Sequence, residues 1–303
     1  MPYQYRYHYS SEPTPPKRHP RRARALLVPA IVVLVAGIVV VSHYQSQLAR
    51  TSALDAANHQ ATAHVPTQMQ TQAASMINTI ISRDHTDRIG VAIENVATGD
   101  VSTYGSTQPF EVASTEKVLS AITYLHLVEQ GQLSFTQQVG SYTAAYQLQQ
   151  MVNQSNNDSW YAVNDALGGN SELQAYANSI GLQYQVDGNL MRPQDMAKLL
   201  TKLYSGQLLN SEHTSELLSY MQDTNDETMI PSVLPSGLTV YHKYGELDNS
   251  DDNGNSVLHD AAIITDNSSS YAIVIYTSGT SSEDSRTTVV RQIARQALIV
   301  CGW

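Results

Sequence analysis

The chain has 303 residues, of which 42% are hydrophobic, and its formal net charge is −10. This length suits one large domain, or two subdomains with a shared core, plus a tail. The acidic balance argues against a general nucleic-acid binder, which needs a basic face to neutralise phosphates. The single cysteine, Cys301, excludes an internal disulfide and a cysteine-rich zinc site, and the ten histidines show no HExxH spacing. We therefore expect neither a metal nor an organic cofactor.

An apolar run from Ala25 to Val41 follows a cluster of basic residues and predicts a membrane helix. At about 1.5 Å per residue it spans roughly 25 Å, and the basic cluster keeps its N-terminal side in the cytoplasm. We expect residues 1–24 to form a disordered cytoplasmic tail, residues 25–42 a transmembrane anchor and residues 43–70 a polar stalk. The alternative is a cleaved signal peptide, although the residues after the run make a poor cleavage site. The anchor places the folded domain, residues 71–303, outside the cytoplasm.

The domain opens and closes with strand patterns and has helical patterns between them. This order predicts an α+β fold, an antiparallel sheet flanked by terminal helices, with an inserted all-helical subdomain. We place the sheet subdomain at residues 71–110 and 225–303, and the helical subdomain at 111–224. The predicted helices cover 73–82, a segment from 114, 142–152, 159–167, 171–180, 193–204, 211–222 and 287–300, and the strands cover 88–93, 101–104, 239–245, 257–265 and 271–278.

Ser114 to Lys117 reads S-x-x-K at the predicted start of a helix. At this spacing both side chains lie on one helix face, where a lysine amine can take the proton from the serine hydroxyl. Burial or a neighbouring cation lowers the pKa of such a lysine and makes it a base. The alternative for this motif alone is a serine N-cap followed by a solvated lysine. If Ser114 is a nucleophile, we expect its hydroxyl within hydrogen-bonding distance of a lysine amine.

Two further stretches carry chemistry of the same kind. Ser155–Asn157 lies in a polar stretch between helices, where a serine can relay a proton and an asparagine can hold an amide. Lys243–Gly245 lies on a predicted strand, where a lysine attracts a carboxylate and lowers the pKa of a second lysine. A glycine there lets a substrate backbone approach. Alone, each stretch is more typical of loop, cap or surface chemistry; the three motifs together, in this order, are not.

The three motifs resemble those of the penicillin-recognising serine enzymes, most closely the class A β-lactamase-like branch. The resemblance covers about residues 70–303. It implies a β-lactamase-like fold and a bacterial enzyme that forms an acyl-enzyme on a β-lactam or a D-Ala-containing peptidoglycan peptide. A monomer is favoured, although the sequence leaves the oligomeric state open, and the net charge predicts no nucleic-acid partner. Further stretches that carry it are Val128–Leu133, Arg192–Ala197, His242–Leu247, His259–Asp260 and Tyr276–Gly279.

By position, the resemblance implies that Ser114 is the nucleophile and Lys117 its base or proton relay. Ser155 then passes a proton to the leaving nitrogen, and Lys243 supplies positive potential. The backbone N–H groups of Ser114 and Glu246 form the implied oxyanion hole. The implied substrate-binding residues are Asn157, Tyr244, Gly245 and Glu246.

Three departures from the family pattern bear on activity. The β-lactamases carry a Glu-x-x-x-Asn pair in a loop between the second and third motifs, and this Glu activates the deacylating water. Here Gly181–Arg192 is too short for that loop and its only acid is Asp187, so we expect slow deacylation. Tyr244 replaces the usual Thr or Ser and removes a small hydroxyl that holds substrate. Glu116 stands where an apolar residue is usual, and we expect it to point to solvent.

The predicted function is therefore a membrane-anchored serine hydrolase of class A type with slow release of the acyl group. The alternative is a catalytically weak module that binds or senses cell-wall fragments or β-lactams with the same pocket. A structural wall protein with no pocket is a third, weaker hypothesis.

Overall fold

The computed structural model describes residues 66–248 and 254–303. The predicted tail, the predicted anchor and most of the predicted stalk lie outside the described residues. Among the residues it does describe, no helix has both the length and the apolar character needed to cross a membrane. The first helix begins after Thr67, whose hydroxyl accepts from the Gln70 N–H while the Gln70 side chain accepts from the Thr67 N–H. The predicted boundary at residue 70 therefore falls within the first turn of this helix.

The secondary structure follows the predicted order closely, and the additional elements are short. Two single-turn 3-10 helices accompany the main elements, at Ala113–Glu116 and Pro231–Val233. In chain order the elements are α1 (Gln68–Arg83), β1 (Asp87–Asn95), β2 (Val101–Gly105), β3 (Phe110–Glu111), α2 (Lys117–Glu129), β4 (Gln138–Val139), β5 (Tyr142–Thr143), α3 (Ala144–Asn153), α4 (Asn157–Leu167), α5 (Asn170–Ser179), β6 (Tyr184–Gln185), β7 (Leu190–Met191), α6 (Pro193–Tyr204), α7 (Ser211–Tyr220), β8 (Thr239–Leu247), β9 (Ser256–Thr265), β10 (Ser270–Gly279) and α8 (Glu283–Cys301).

Five strands form an antiparallel sheet in the order β2-β1-β10-β9-β8. The central pair joins the two ends of the domain, because Asp87 of β1 lies opposite Gly279 of β10. β9 is buried along nearly its whole length because it lies between two strands and two packed layers. β8 is an edge strand, so one of its sides is free to border another part of the chain.

Two buried apolar layers cover the faces of this sheet. On one face, Ile275 belongs to the same cluster as Ile77 of α1 and Ile293 of α8, so the terminal helices close that side. On the other face, Val274 belongs to the cluster of the inserted helices, which includes Leu119 of α2. The predicted α+β architecture is therefore confirmed.

α2 is the central helix of the insertion, and ten of its 13 residues are buried. A helix that is buried on nearly all sides is held by its neighbours and not by one amphipathic stripe. The insertion also contains short strand pairings, β3-β7-β6 and β4-β5, which the sequence pattern did not predict. The first of these ribbons holds the segment that leads into Ser114.

Candidate active site

Ser114 lies in the 3-10 turn Ala113–Glu116 immediately before α2, and it is half-buried. Ala113 has a φ of 46°, in the left-handed region that a residue with a Cβ rarely adopts. Two side chains hold this conformation. The Glu111 carboxylate accepts from the Ala113 N–H at 3.1 Å, and the Asn189 amide donates to the Ala113 carbonyl oxygen at 3.2 Å. The backbone before Ser114 is thus fixed from both sides.

Two lysine amines meet at Ser155. Lys243 Nζ donates to Ser155 Oγ at 2.9 Å, and Lys117 Nζ lies 3.5 Å from the same oxygen and 2.6 Å from the Ser155 carbonyl oxygen. Lys117 Nζ also donates to Asn157 Oδ1 at 2.6 Å, and Lys243 Nζ to the Tyr244 carbonyl oxygen at 2.9 Å. Since an ammonium group only donates, the hydroxyl proton of Ser155 is not needed for either lysine contact. The structure thus brings four predicted site residues together around one hydroxyl.

The third motif borders the Ser114 turn along the free edge of β8. A Cβ placed on Gly245 would lie 3.0 Å from the backbone nitrogens of Ser114 and Thr115, and 3.0 Å from the Val112 carbonyl oxygen. Contacts this short with backbone atoms are tighter than a Cβ normally makes, so a side chain here would push the Ser114 turn and β8 apart. Since Glu246 follows Gly245 directly, the two amides predicted to form an oxyanion hole, those of Ser114 and Glu246, lie in one neighbourhood.

The pKa values of both site lysines are lowered. Burial is the largest cause for Lys117, whose pKa falls to about 8; a negative charge on Glu116 acts in the opposite direction when that carboxyl group is ionised. Burial, followed by the Lys117 cation, lowers the pKa of Lys243 to about 7. A neutral lysine has two N–H donors and one lone pair, and Lys117 has two close acceptors in the Ser155 carbonyl and Asn157. A neutral Lys117 can therefore donate to both acceptors and still have its lone pair free to accept a proton from a third group.

The predicted hydrogen bond between the Ser114 hydroxyl and an amine is not formed. Within residues 66–248 and 254–303 this hydroxyl has no hydrogen-bond partner, and Lys117 is directed at Ser155 and Asn157 instead. Catalytic hydrogen bonds are often long or misaligned before substrate binds. Proton transfer from Ser114 therefore requires its hydroxyl and the lone pair of Lys117 to come within hydrogen-bonding distance.

Glu116 does not point to solvent as expected; it is 1% exposed. Its carboxyl group accepts from the Trp160 indole N–H at 2.6 Å and lies 2.5 Å from the Ser120 hydroxyl. These two partners stand on α4 and α2 and form a polar pocket that the sequence pattern does not reveal. Burial is the main cause that raises the pKa of Glu116, while Lys117 acts in the opposite direction.

Tyr244 and Glu246 occupy contrasting positions. Tyr244 is buried, its ring centroid lies 4.0 Å from Lys243 Nζ, and its hydroxyl donates to Asn225 Oδ1 at 3.2 Å. The phenol therefore covers a lysine and has a partner within the chain. Glu246 has an exposed side chain. Partial desolvation of its carboxyl group is the largest cause that raises its pKa, and the negative charge of Glu283 is the next.

The short segment Gly181–Arg192 reaches the Ser114 turn through Asn189, while its only acid, Asp187, is exposed. Asn189 also donates to Glu111 Oε1 at 3.2 Å, and the other carboxylate oxygen of Glu111 is buried without a hydrogen-bond partner among the described residues. Burial raises the pKa of Glu111. The Glu111–Asn189 pair was not predicted from the sequence. The Gly188-Asn189 dipeptide, which is typical of a turn, was the only indication of this feature.

Residues 66–248 and 254–303 contain no cluster of three or more His, Cys, Asp and Glu side chains that could hold a metal ion. The chemistry that the arrangement supports is that of a serine hydroxyl, two amines of lowered pKa and backbone donors.

This fold and this pair of lysines around a serine define a serine hydrolase of the β-lactamase or D,D-peptidase type. A model of the beta-lactamase enzyme family matches residues 72–300. The chain belongs to that family, as the sequence motifs predicted. No curated protein matches the chain.

Solved structures share the fold over most of the chain. A mutant of PBP-A, described as an acyl-enzyme complex with penicillin G, is 22% identical, covers 77% of this chain and 96% of its own, and gives a TM-score of 0.67. The TLA-1 extended-spectrum β-lactamase is 19% identical over 77% of this chain and 100% of its own, with a TM-score of 0.70. A β-lactamase from Chitinophaga pinensis is 23% identical over 74% of this chain and 97% of its own, with a TM-score of 0.67. At these identities the likeness shows the β-lactamase-like fold.

Proposed function

We propose that this protein is a membrane-anchored, extracytoplasmic serine hydrolase that forms an acyl-enzyme at Ser114 and releases the acyl group slowly. Its substrates are β-lactams or D-Ala-containing peptidoglycan peptides. The observation that carries the proposal is the meeting of the Lys117 and Lys243 amines at Ser155, beside the Ser114 turn. The penicillin adduct described for the PBP-A mutant supports the substrate class.

The proposed acylation begins when the neutral Lys117 amine takes the hydroxyl proton of Ser114. The serine oxygen bonds to the substrate carbonyl carbon, and the carbonyl oxygen takes up the negative charge beside the backbone N–H groups of Ser114 and Glu246. The bond from carbon to the leaving nitrogen then breaks. Ser155 donates its proton to that nitrogen and is reprotonated from the adjacent lysines, Lys117 and Lys243. Removing one backbone donor of an oxyanion hole costs about 100- to 1000-fold in rate.

Slow release of the acyl group follows from the missing base. Hydrolysis of the ester needs a group that activates water, and Gly181–Arg192 supplies only the exposed Asp187. Acylation therefore outpaces deacylation, and the covalent species accumulates. Steady turnover of nitrocefin at many cycles per second would contradict this part of the proposal.

Mass spectrometry of the intact protein after incubation with penicillin G tests the nucleophile directly. A β-lactam opens without losing an atom, so the expected product is the protein plus one whole penicillin, with the adduct on the Ser114 peptide. Ser114→Ala should give no adduct. Ser75→Ala, a change of an exposed serine on α1, is the matched control and should be labelled like the wild type. No adduct with any β-lactam or fluorophosphonate would refute the enzyme proposal.

A second candidate is a binding or sensing module that uses the same pocket. It is favoured by the absence of a hydrogen bond between Ser114 and a lysine amine, and by the Tyr244 hydroxyl being bonded to Asn225. Saturable binding of a β-lactam or a D-Ala peptide without an increase in protein mass would support it over the hydrolase.

The anchor is supported by the sequence pattern of Ala25–Val41 and its basic flank. Full-length protein should remain with membranes through carbonate extraction and leave them only in detergent. Deleting residues 25–42 should move it to the soluble fraction. Recovery of the full-length chain in the soluble fraction would contradict the anchor.

A further inference from the structure

A groove of about 640 Å³ lies where the end of α6, the helix α7 and the start of β8 meet. This volume is within the range typical of small-ligand sites, roughly 300–1,000 Å³. None of the predicted site residues lines it. Its lining of twelve residues includes Tyr204 at the end of α6, Ser215 on α7 and Tyr241 on β8.

We propose that this groove binds a neutral saccharide. Not one of its lining residues is charged, so a ligand with phosphate groups or several carboxylates would find no cation there. A hydrophobic ligand is matched less well, because sites for such ligands are mostly apolar, whereas nine of the twelve lining residues carry a hydroxyl or a side-chain amide. A neutral ligand with many hydroxyl and amide groups fits the lining best.

Several polar groups of the groove are free to bind a ligand. In the described part of the chain, five side chains of the lining have no hydrogen-bond partner. Seven of the twelve lining residues carry a hydroxyl, which both donates and accepts, as a sugar hydroxyl does. The five free side chains are those of Tyr204, Ser211, Ser215, Gln222 and Tyr241.

Two tyrosines supply flat surfaces for the C–H face of a sugar ring. The ring centroids of Tyr204 and Tyr241 lie 6.1 Å apart, with an angle of 43° between the ring planes. Tyrosine combines an apolar face with a polar tip and has few torsions to restrict on binding. The pair thus offers stacking beside the free hydroxyl and amide groups.

The groove adjoins the candidate active site. Tyr241 and Lys243 are two residues apart on β8, so they share a sheet face at a distance of about 7 Å along the strand. The Gln222 carbonyl oxygen accepts from Asn153 Nδ2 at 2.9 Å, and Asn153 is two residues before Ser155. A polymer bound at the active site can therefore occupy the groove with a neighbouring unit. That the saccharide and the acylated group belong to one cell-wall polymer rests on the proposed function; the ligand class rests on the groove alone.

Calorimetric titration with the soluble β-1,4-linked tetramer of N-acetylglucosamine tests the proposal. The full chain is used in a detergent without a sugar headgroup. We expect saturable binding with a dissociation constant below 1 mM, on the order expected for a small shallow site. Tyr241→Ala and Tyr204→Ala should each weaken binding at least tenfold. Tyr161→Ala removes an exposed tyrosine on α4 and is the matched control, which should bind like the wild type.

Ser215→Trp is a second variant that does not disturb the core, because Ser215 is exposed. The indole should fill the groove and abolish binding while the melting temperature stays unchanged.

Penicillin G labelling of the same samples separates the two proposals. Labelling without tetramer binding refutes the groove proposal alone, and tetramer binding without labelling refutes the hydrolase alone. Equal binding by Tyr241→Ala, Tyr204→Ala and Tyr161→Ala, or displacement of the tetramer by a sugar-free stem peptide, would also overturn the groove proposal.

Discussion

The protonation of one buried side chain, Glu116, affects the base that the proposed mechanism needs. The Ser120 hydroxyl lies 2.5 Å from Glu116 Oε1 and 2.9 Å from Asn164 Oδ1, and both are acceptor atoms. A hydroxyl has one proton and can donate to only one of them. Both contacts are hydrogen bonds if Glu116 itself carries a proton and donates it to Ser120. The raised pKa of Glu116, caused by burial, agrees with this neutral form.

We predict that Glu116→Gln leaves the pH dependence of acylation unchanged. A neutral acid and an amide present a similar donor and acceptor to Ser120 and Trp160, so the charge near Lys117 does not change. An ionised Glu116 would instead raise the pKa of Lys117, because a nearby negative charge favours the ammonium form. The measurement is the rate of penicillin labelling between pH 6 and 9.

The control for this variant is Glu172→Gln, which removes an exposed acid at the start of α5. Both variants should keep the wild-type midpoint within about 0.3 pH units, well below the shift that an ionised pair would produce. A midpoint lowered by one unit or more in Glu116→Gln alone would show that the carboxylate is ionised in the folded protein.

At the scale of elements, the site depends on the edge strand β8 lying against the 3-10 turn of Ser114. We predict that Gly245→Ala slows acylation at least tenfold, because its Cβ would press on the backbone of Ser114, Thr115 and Val112. Overpacking of this kind also costs about 1–3 kcal/mol of folding free energy. Labelling rate and urea unfolding are measured on the same samples.

Leu247→Ala, on the same strand, is the control for Gly245→Ala. Leu247 is 45% exposed, and its truncation should leave the labelling rate within about twofold of the wild type. If Gly245→Ala labels as fast as this control, the close approach of β8 does not position the nucleophile.

Element order was predictable from the sequence because hydrophobic periodicity marks helices and strands directly. The predicted helix over residues 193–204, for example, is α6, which begins at Pro193. The burial of Glu116 was not predictable, since its partner Trp160 is brought to it only when α4 packs on α2. The Glu111–Asn189 pair likewise joins β3 to the residue just before β7, and these two strands have two residues each, too few for any periodicity. Motif spacing indicated which residues meet, and packing decided their hydrogen bonds.

At the scale of the whole molecule, the protonation of three buried side chains makes the folding stability depend on pH, and their effects have opposite signs. Burial disfavours a charge on His242, but Asp260 at 2.9 Å and Glu227 at 3.1 Å outweigh it and raise the pKa to about 9. This stabilisation is complete below the unfolded pKa, about 6.5, and is lost as the pH rises through 9. Lys117 and Lys243, with folded pKa values of about 8 and 7, act oppositely. The folded state releases their protons before the unfolded state does, so their contribution to stability rises with pH.

We predict that the stability difference between the wild type and His242→Asn shrinks by roughly 2–3 kcal/mol from pH 6.5 to pH 9. The pH-dependent contribution of the two lysines cancels in this difference, because both proteins contain them. The difference therefore reports the buried ion pair between β8 and β9. Equilibrium urea unfolding of residues 66–303 supplies the free energies, and His85→Asn, at an exposed histidine, should show no such trend. A difference that stays constant over this range would mean that His242 is neutral in the folded protein. The Asp260 carboxyl group would then accept hydrogen bonds from a neutral His242 at 2.9 Å and from the Ile230 N–H at 3.0 Å, with no charged partner on β8, a less stable arrangement for a buried carboxylate than a charged pair.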